Sequence, residues 1–276
     1  MSFGVSTSCL YPMPTEDALR TLGELGVQTC EIFLNSIGET SLSFARTLQR
    51  IAQAYGMRIV SVHPFSSFAE SYMFFSEYER RFYDMLDFYR RTFEVTAALG
   101  AKLSIIHGMR LPAKISEAQY FERFSAIAQA GKAFGVAVAQ ENVNRHLSES
   151  PAFLARMRAA LGADFRLVFD VKQSVRAGYD PLAFYRAFAP QIVHLHVSDH
   201  TPTQDCIAPG KGSFDFAALA AETRRAGYGG HWIIELYRAG YGEPAELAQA
   251  LRHLETLAAG TPAAFSANST CKRNNL

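Results

Sequence analysis

The sequence predicts an α/β fold of one domain, a closed (β/α)8 barrel. Three observations predict it. Eight short β-rich runs alternate strictly with eight amphipathic segments, several runs are apolar almost throughout, and 276 residues allow about 35 per strand–helix unit. Ile59-Val60-Ser61-Val62 and Trp232-Ile233-Ile234 lack a polar face, as strands covered on both sides do, so a parallel sheet is expected. An open doubly wound sheet is the competitor. It usually carries a glycine-rich dinucleotide turn after its first strand, and Ser6-Thr7-Ser8-Cys9 is not one.

The elements follow in order. A strand at 3–6 precedes a helix at 15–25, whose opening Thr15-Glu16-Asp17 places acids at the positive end of the helix dipole. A strand at 28–33 leads to a helix at 41–55, stopped by Gly56. The third strand, 58–63, is followed by a long aromatic-rich loop at 64–76, a candidate lid or partner surface. The longest helix, 77–99, ends at Gly100, and its Arg80-Arg81 and Arg90-Arg91 read as a solvated face. The aromatic series Phe74, Phe75, Tyr78, Phe82, Tyr83, Phe88 and Tyr89 reads as packing or oligomer contact rather than nucleic-acid stacking. Then come a strand at 103–107 and a helix at 117–134 ending at Gly135. A strand at 136–141 leads to a helix at 150–161, opened by Ser150-Pro151, where proline suits the first helical position. The last three pairs are 166–170 with 181–188, 192–197 with 214–226, and 232–236 with 244–258. The barrel is thus assigned to 1–260, and 261–276 reads as a flexible tail of small and polar residues.

Composition narrows the function. Hydrophobic residues at 49% supply a sizeable core, and 27 basic against 26 acidic residues give a net charge of +1. No global field pulls such a chain onto nucleic acid or anionic lipid, so neither is an expected partner. Cys9, Cys30, Cys206 and Cys271 form no CxxC pair and read as reduced thiols of a cytoplasmic protein. Neither a signal peptide nor a membrane span is expected.

In a barrel, catalytic groups collect where strands end. Here ionisable groups stand directly after apolar runs: His63, His107, Glu141 after Val136-Ala137-Val138-Ala139-Gln140, Asp170, His194 and His196, and Glu235. A buried carboxylate costs several kcal/mol unless it is paired or bound to a cation. Glu141, Asp170, His196 and Glu235 fall at one level on four successive strands. Three carboxylates and an imidazole converging there repel unless a divalent metal neutralises them. An oxygen-rich set with one nitrogen suits Mn²⁺, Mg²⁺ or Co²⁺ and permits Zn²⁺. His194, two residues before His196, reads as a supporting or core histidine. Glu31, inside the second strand, reads either as a substrate contact or as an acid kept for internal hydrogen bonds.

These stretches resemble the xylose-isomerase-like TIM barrel superfamily, specifically its sugar phosphate isomerase/epimerase family. The resemblance rests on Gln140-Glu141-Asn142, Val168-Phe169-Asp170, Val193-His194-Leu195-His196-Val197-Ser198-Asp199, Pro209-Gly210-Lys211-Gly212, Gly227-Tyr228-Gly229-Gly230 and Ile233-Ile234-Glu235-Leu236, and spans about residues 1–258. It implies that Glu141, Asp170, His196 and Glu235 bind one catalytic metal. It also implies that Glu141 and Glu235 exchange protons with a substrate carbon through a metal-stabilised enediolate, giving epimerisation or isomerisation of a small sugar, keto-sugar or sugar phosphate. His63 and His107 are assigned to substrate hydroxyls. The chain departs from its relatives three residues after Asp170, where many members place a histidine and Gln173 stands here. Pro202 replaces the arginine that ketose 3-epimerases show six residues after the seventh-strand histidine. Lys172 and Lys211 are expected to substitute for that contact by binding a phosphate, carboxylate or sugar oxygen. Dehydration of a cyclitol-type keto sugar is the close alternative. An endonuclease IV-like phosphodiesterase ranks lower because ligands for a three-metal cluster are lacking. A non-catalytic sugar- or partner-binding barrel ranks lowest, since all four ligands are present. A homo-oligomer is compatible with the sequence.

Overall fold

The structure, a computed structural model, describes residues 1–260; the tail read at 261–276, with Cys271, lies outside the described residues. Eight parallel strands close into a barrel in sequence order. They are β1 (Ser2–Ser6), β2 (Thr29–Phe33), β3 (Arg58–His63), β4 (Leu103–Ile106), β5 (Ala137–Glu141), β6 (Leu167–Asp170), β7 (Ile192–Val197) and β8 (His231–Ile234). Closure is made by β1 against β8, from Ser2 opposite His231 to Val5 opposite Ile234. Gly4 permits the close approach of β1 to β2, because a Cβ there would lie 2.3 Å from the Thr29 carbonyl oxygen.

The connecting helices are α1 (Thr15–Glu24), α2 (Leu42–Ala54), α3 (Ser67–Met73), α4 (Glu79–Ala98), α5 (Glu117–Lys132), α6 (Pro151–Leu161), α7 (Val171–Arg176), α8 (Pro181–Phe188), α9 (Phe216–Arg225) and α10 (Ala245–Gly260). Their ends have local causes. Ser116 and Gln119 form a reciprocal capping box at α5, and Asp180 caps α8 ahead of Pro181. Gly100 after α4 adopts φ 79°, a conformation in which any side chain is strained.

All eight strands and eight helices read from the sequence are present, with ends within two residues. Two α-helices were not anticipated. The segment 64–76 contains α3, and α7 starts immediately at the end of β6. A strand-end aspartate can also be an N-cap: Asp170 Oδ1 accepts from the Gln173 amide at 3.1 Å, so the helix begins with no loop to announce it.

The core has two compartments. Outside the barrel the helices lay Leu19, Leu22, Leu48, Phe93, Phe124 and Leu251 against the strands, and Trp232 is buried there. Inside, a separate cluster of Leu103, Ile105, Ala139 and Val168, with Val193 against it, fills the floor. Side chains alternate along a strand, so Ala139 and Val168 share their faces with Glu141 and Asp170. The apolar floor thereby fixes which residues point into the mouth above it. The aromatic series packs as expected: Phe75 stacks on Tyr120 at 4.2 Å and Phe74 meets Tyr89 at 4.7 Å, while Tyr78 and Tyr83 remain exposed. Cys9, Cys30 and Cys206 are free and buried. Among the described residues no helix is long and apolar enough to cross a membrane.

Candidate active site

The Gln140-Glu141-Asn142 run shows how neighbours brace a functional carboxylate. Gln140 Nε2 donates to the His107 carbonyl at 2.9 Å and to the Glu141 carbonyl at 2.8 Å, and the Tyr120 hydroxyl donates to its Oε1. Asn142 grips the end of β6, accepting from the Asp170 amide at 2.7 Å and donating to the Asp170 carbonyl at 3.0 Å. Glu141 is thus tied on one side to the end of β4 and on the other to the end of β6. Register completes the arrangement, with Asp170 opposite His196 between β6 and β7. Glu235 follows β8 by one residue, its amide still donating to the Val197 carbonyl at 3.2 Å.

Glu141, Asp170, His196 and Glu235 converge, each offering a ligand atom within 4.8 Å of the others. Glu141 Oε1 lies 3.3 Å from His196 Nδ1, and Glu235 Oε2 lies 3.5 Å from it. The opposite nitrogen, His196 Nε2, faces the buried Glu31 carboxylate at 3.2 Å. Glu31 also meets His194 Nε2 at 3.1 Å and accepts from the Ser61 hydroxyl at 2.8 Å. Glu31 is therefore an internal acid beneath the cluster. A hydrogen on His196 Nε2 held by Glu31 leaves the Nδ1 lone pair aimed at the four-residue cluster.

The donor set fits a divalent cation. Glu141 Oε2 and Asp170 Oδ2 are buried with no hydrogen-bond partner. Each has a nitrogen close by: His107 Nε2 lies 3.0 Å from Glu141 Oε2, and Lys172 Nζ lies 3.2 Å from Asp170 Oδ2. Neither contact has hydrogen-bond geometry, so each oxygen keeps lone pairs for a metal.

The electrostatics agree. Burial pushes the Asp170 carboxyl up to about 6; Lys172 only partly offsets this, and the Glu141 and Glu235 charges add to it. Burial opposes ionisation of Glu141 too, but His107, His196 and His63 hold it well below the ordinary carboxylate range. Lys172, fully buried, donates to Glu235 Oε2 at 3.0 Å, and the Asp170 and Glu235 charges outweigh its desolvation and keep it protonated. Glu235 is held below its ordinary value chiefly by Lys172 and His196 against burial.

His63 and His107 stand beside Glu141. The Pro64 carbonyl can only accept, so His63 carries a hydrogen on Nδ1, 3.1 Å away. His63 Nε2 then meets His107 Nε2 at 2.9 Å. These groups open into a cavity of about 490 Å³ lined by Glu141, Glu235, His63, His107, Lys172 and Gln173, with Phe33, Phe65, Phe68 and Tyr237 as apolar walls. Ser8, Tyr11, Asn35 and Arg238 also line it. None of these additional lining residues is signalled by the sequence, because they belong to loops whose paths only closure of the barrel brings together. Lys211 is not brought to this cavity; it lines a separate cleft with Glu246 and His253.

Comparison with known proteins agrees with this architecture. The family described as xylose isomerase-like TIM barrel matches residues 19–257. An uncharacterized protein of Mycobacterium leprae is 22% identical over 258 residues, covering 84% of this chain and 88% of its own. One from Mycobacterium tuberculosis is 24% identical with the same coverage. Among solved structures, 3-keto-D-glucoside 4-epimerase from E. coli superposes with TM-score 0.74 at 19% identity, over 93% of this chain and 99% of that one. A D-tagatose 3-epimerase-like protein gives 0.78 at 19% identity, over 93% and 97%. At such identities the likeness speaks for the fold.

Proposed function

The chain belongs to the xylose isomerase-like TIM barrel family, and on that premise we propose that it is a divalent-metal-dependent epimerase or isomerase of a small keto-sugar or related polyhydroxylated compound. The observation that carries this reading is the pair Glu141 and Glu235, both facing one cavity and both within the 4.8 Å cluster with Asp170 and His196. Those four residues would hold the cation, with Mn²⁺, Mg²⁺ or Co²⁺ favoured and Zn²⁺ permitted by the donors. When bound, it supplies a Lewis acid that polarises a carbonyl and its adjacent hydroxyl, acidifying the C–H between them.

The chain's own residues do the proton transfer. One carboxylate takes the proton from the carbon beside the carbonyl, and the other, protonated from solvent before this step, gives its proton to the opposite side, so configuration inverts and the first carboxylate is left holding the abstracted proton. Lys172 favours the ionised form of Glu235, and the three histidines favour that of Glu141, so either can serve as the base in a turnover that the other enters protonated. His63, His107 and Gln173 line the cavity and would bind substrate hydroxyls, with Phe65 and Phe68 giving it apolar wall. The resemblance in fold to 3-keto-D-glucoside 4-epimerase and to D-psicose 3-epimerase supports this reaction class. Buried free thiols fit the cytoplasmic setting read from the sequence.

Incubation with a ketose panel in deuterated water, with metal analysis of the protein, tests the proposal. Deuterium at the carbon beside the carbonyl, lost in Glu141→Gln and Glu235→Gln, is expected. Loss of water from the substrate instead identifies a dehydratase. Absence of exchange on every ketose, with metal bound, refutes the reading.

A further inference from the structure

A second cavity, larger than the catalytic one at about 760 Å³, adjoins it. Phe68 and His107 line both. His107 stands at the seam, with Nε2 3.0 Å from Glu141 on one side and its ring centroid 6.1 Å from that of His146 on the other. The first cavity sets two carboxylates, Glu141 and Glu235, against two cations, Lys172 and Arg238; the second gathers Arg81, Arg110 and Lys114 against a single acid, Glu77. Some arginines elsewhere find carboxylates, as Arg156 does with Glu117, Arg176 with Asp205 and Arg186 with Glu222, and others stand free on the surface; what sets these cations apart is that they share one concave space. Among the described residues none of these three cations has a carboxylate at ion-pair distance. Arg81 has only the Ser76 hydroxyl at 3.5 Å and the Tyr78 ring at 5.7 Å.

The loop bearing Arg110 and Lys114 is fixed in place. The Arg110 amide donates to the Ser71 hydroxyl at 2.7 Å, Arg110 pairs antiparallel with His146, and the Leu111 amide donates to the Arg145 carbonyl at 2.8 Å. Cations presented on a braced backbone bind an anion with little ordering still to be done. In a chain whose net charge is +1, three of them facing one concave space make a local positive field.

We propose that this second cavity receives an anionic group, phosphate or carboxylate, carried on the far end of the polyhydroxylated substrate whose carbonyl end reaches Glu141 and Glu235. The inference rests on the function proposed above and moves the expected anion contact from Lys211, after β7, to the loops after β3 and β4. A substrate spanning both cavities passes His107, so recognition of the anion sets which carbon lies between the two glutamates.

The test uses the full chain and the double variant Arg81→Gln, Arg110→Gln. Both side chains are exposed, and an unchanged thermal midpoint confirms folding. Inorganic phosphate binding is measured by calorimetry, and deuterium exchange is compared for fructose, fructose 6-phosphate and a keto sugar acid. We expect phosphate to bind the wild-type protein at least about tenfold more tightly than the variant, with an affinity that falls as salt rises. The kcat/KM ratio of the charged over the neutral sugar should fall at least about tenfold in the variant, chiefly through KM. A preference for the phosphate or for the acid identifies which anion is used. Equal phosphate binding by both proteins, or exchange with no advantage for a charged sugar, overturns the anion site while leaving the proposed function standing. Phosphate binding lost in the variant with no exchange on any sugar leaves the anion site standing and overturns the proposed function.

Discussion

Glu70 offers the most exacting test of the physical reasoning. It projects from α3, is completely buried, and accepts from the Gly108 amide at 2.6 Å and the Tyr89 hydroxyl at 2.7 Å. Burial pushes its carboxyl up to about 7, against the downward pull of His107, the Gly108 amide and Tyr89. The rise from 4.5 to about 7 corresponds to roughly 3 kcal/mol, at about 1.4 kcal/mol per tenfold. The folded chain holds this proton more tightly than the unfolded chain. Its stabilising contribution is therefore full below 4.5 and is lost as pH rises through about 7. Glu70→Gln has no proton to lose and keeps a carbonyl to accept from Gly108. Urea unfolding of both proteins, followed by the single tryptophan Trp232, gives the difference directly. The variant's stability relative to wild type is expected to rise by about 2–3 kcal/mol between about pH 5 and about pH 8. A flat or falling difference across that window refutes the reasoning.

Three further outcomes are expected. Glu235→Gln should slow deuterium exchange by roughly 10²–10⁴-fold while lowering the urea midpoint only modestly, because Lys172 keeps Asp170 as a partner; equal loss of both would make the residue structural. Mn²⁺ at about a hundred times its dissociation constant should raise unfolding stability by about 2.7 kcal/mol, and Asp170→Asn, which can still cap α7, should abolish that rise; an undiminished rise in the variant excludes Asp170 as a ligand. Glu31→Gln removes the carboxylate shared by His194 and His196 and should cost about 3 kcal/mol while weakening metal affinity roughly 10–100-fold; calorimetry showing unaltered affinity would deny Glu31 an orienting role.

The strand pattern was legible because a strand covered on both faces needs a continuous apolar run, as in Trp232-Ile233-Ile234, and few other structures do. The level of Glu141, Asp170, His196 and Glu235 was legible because each stands at or next to the end of such a run. Helix α3 was hidden because its seven residues are too few to show a period among so many aromatic neighbours. Helix α7 was hidden because its cap is itself a site residue. Glu31 could be read two ways from sequence, and only the register of β2 against β3 and the approach of β7 show that its carboxylate turns inward to Ser61, His194 and His196. Lys172 and Lys211 looked alike as sequence, each near a strand end. One lies in α7 and folds back to Asp170 and Glu235, while the other follows a longer excursion that carries it away. Loop length and closure decide such placements, and neither leaves a periodic trace.

Phe68 and His107 serve two chambers at once. A guest in either one would touch the same partition, which is the route for any coupling between them. Linkage is symmetric: whatever factor a bound anion applies to a sugar's grip, the sugar must return to the anion. A molecule carrying both groups would collect that factor within itself, whereas two separate molecules would reveal it as mutual help or mutual exclusion.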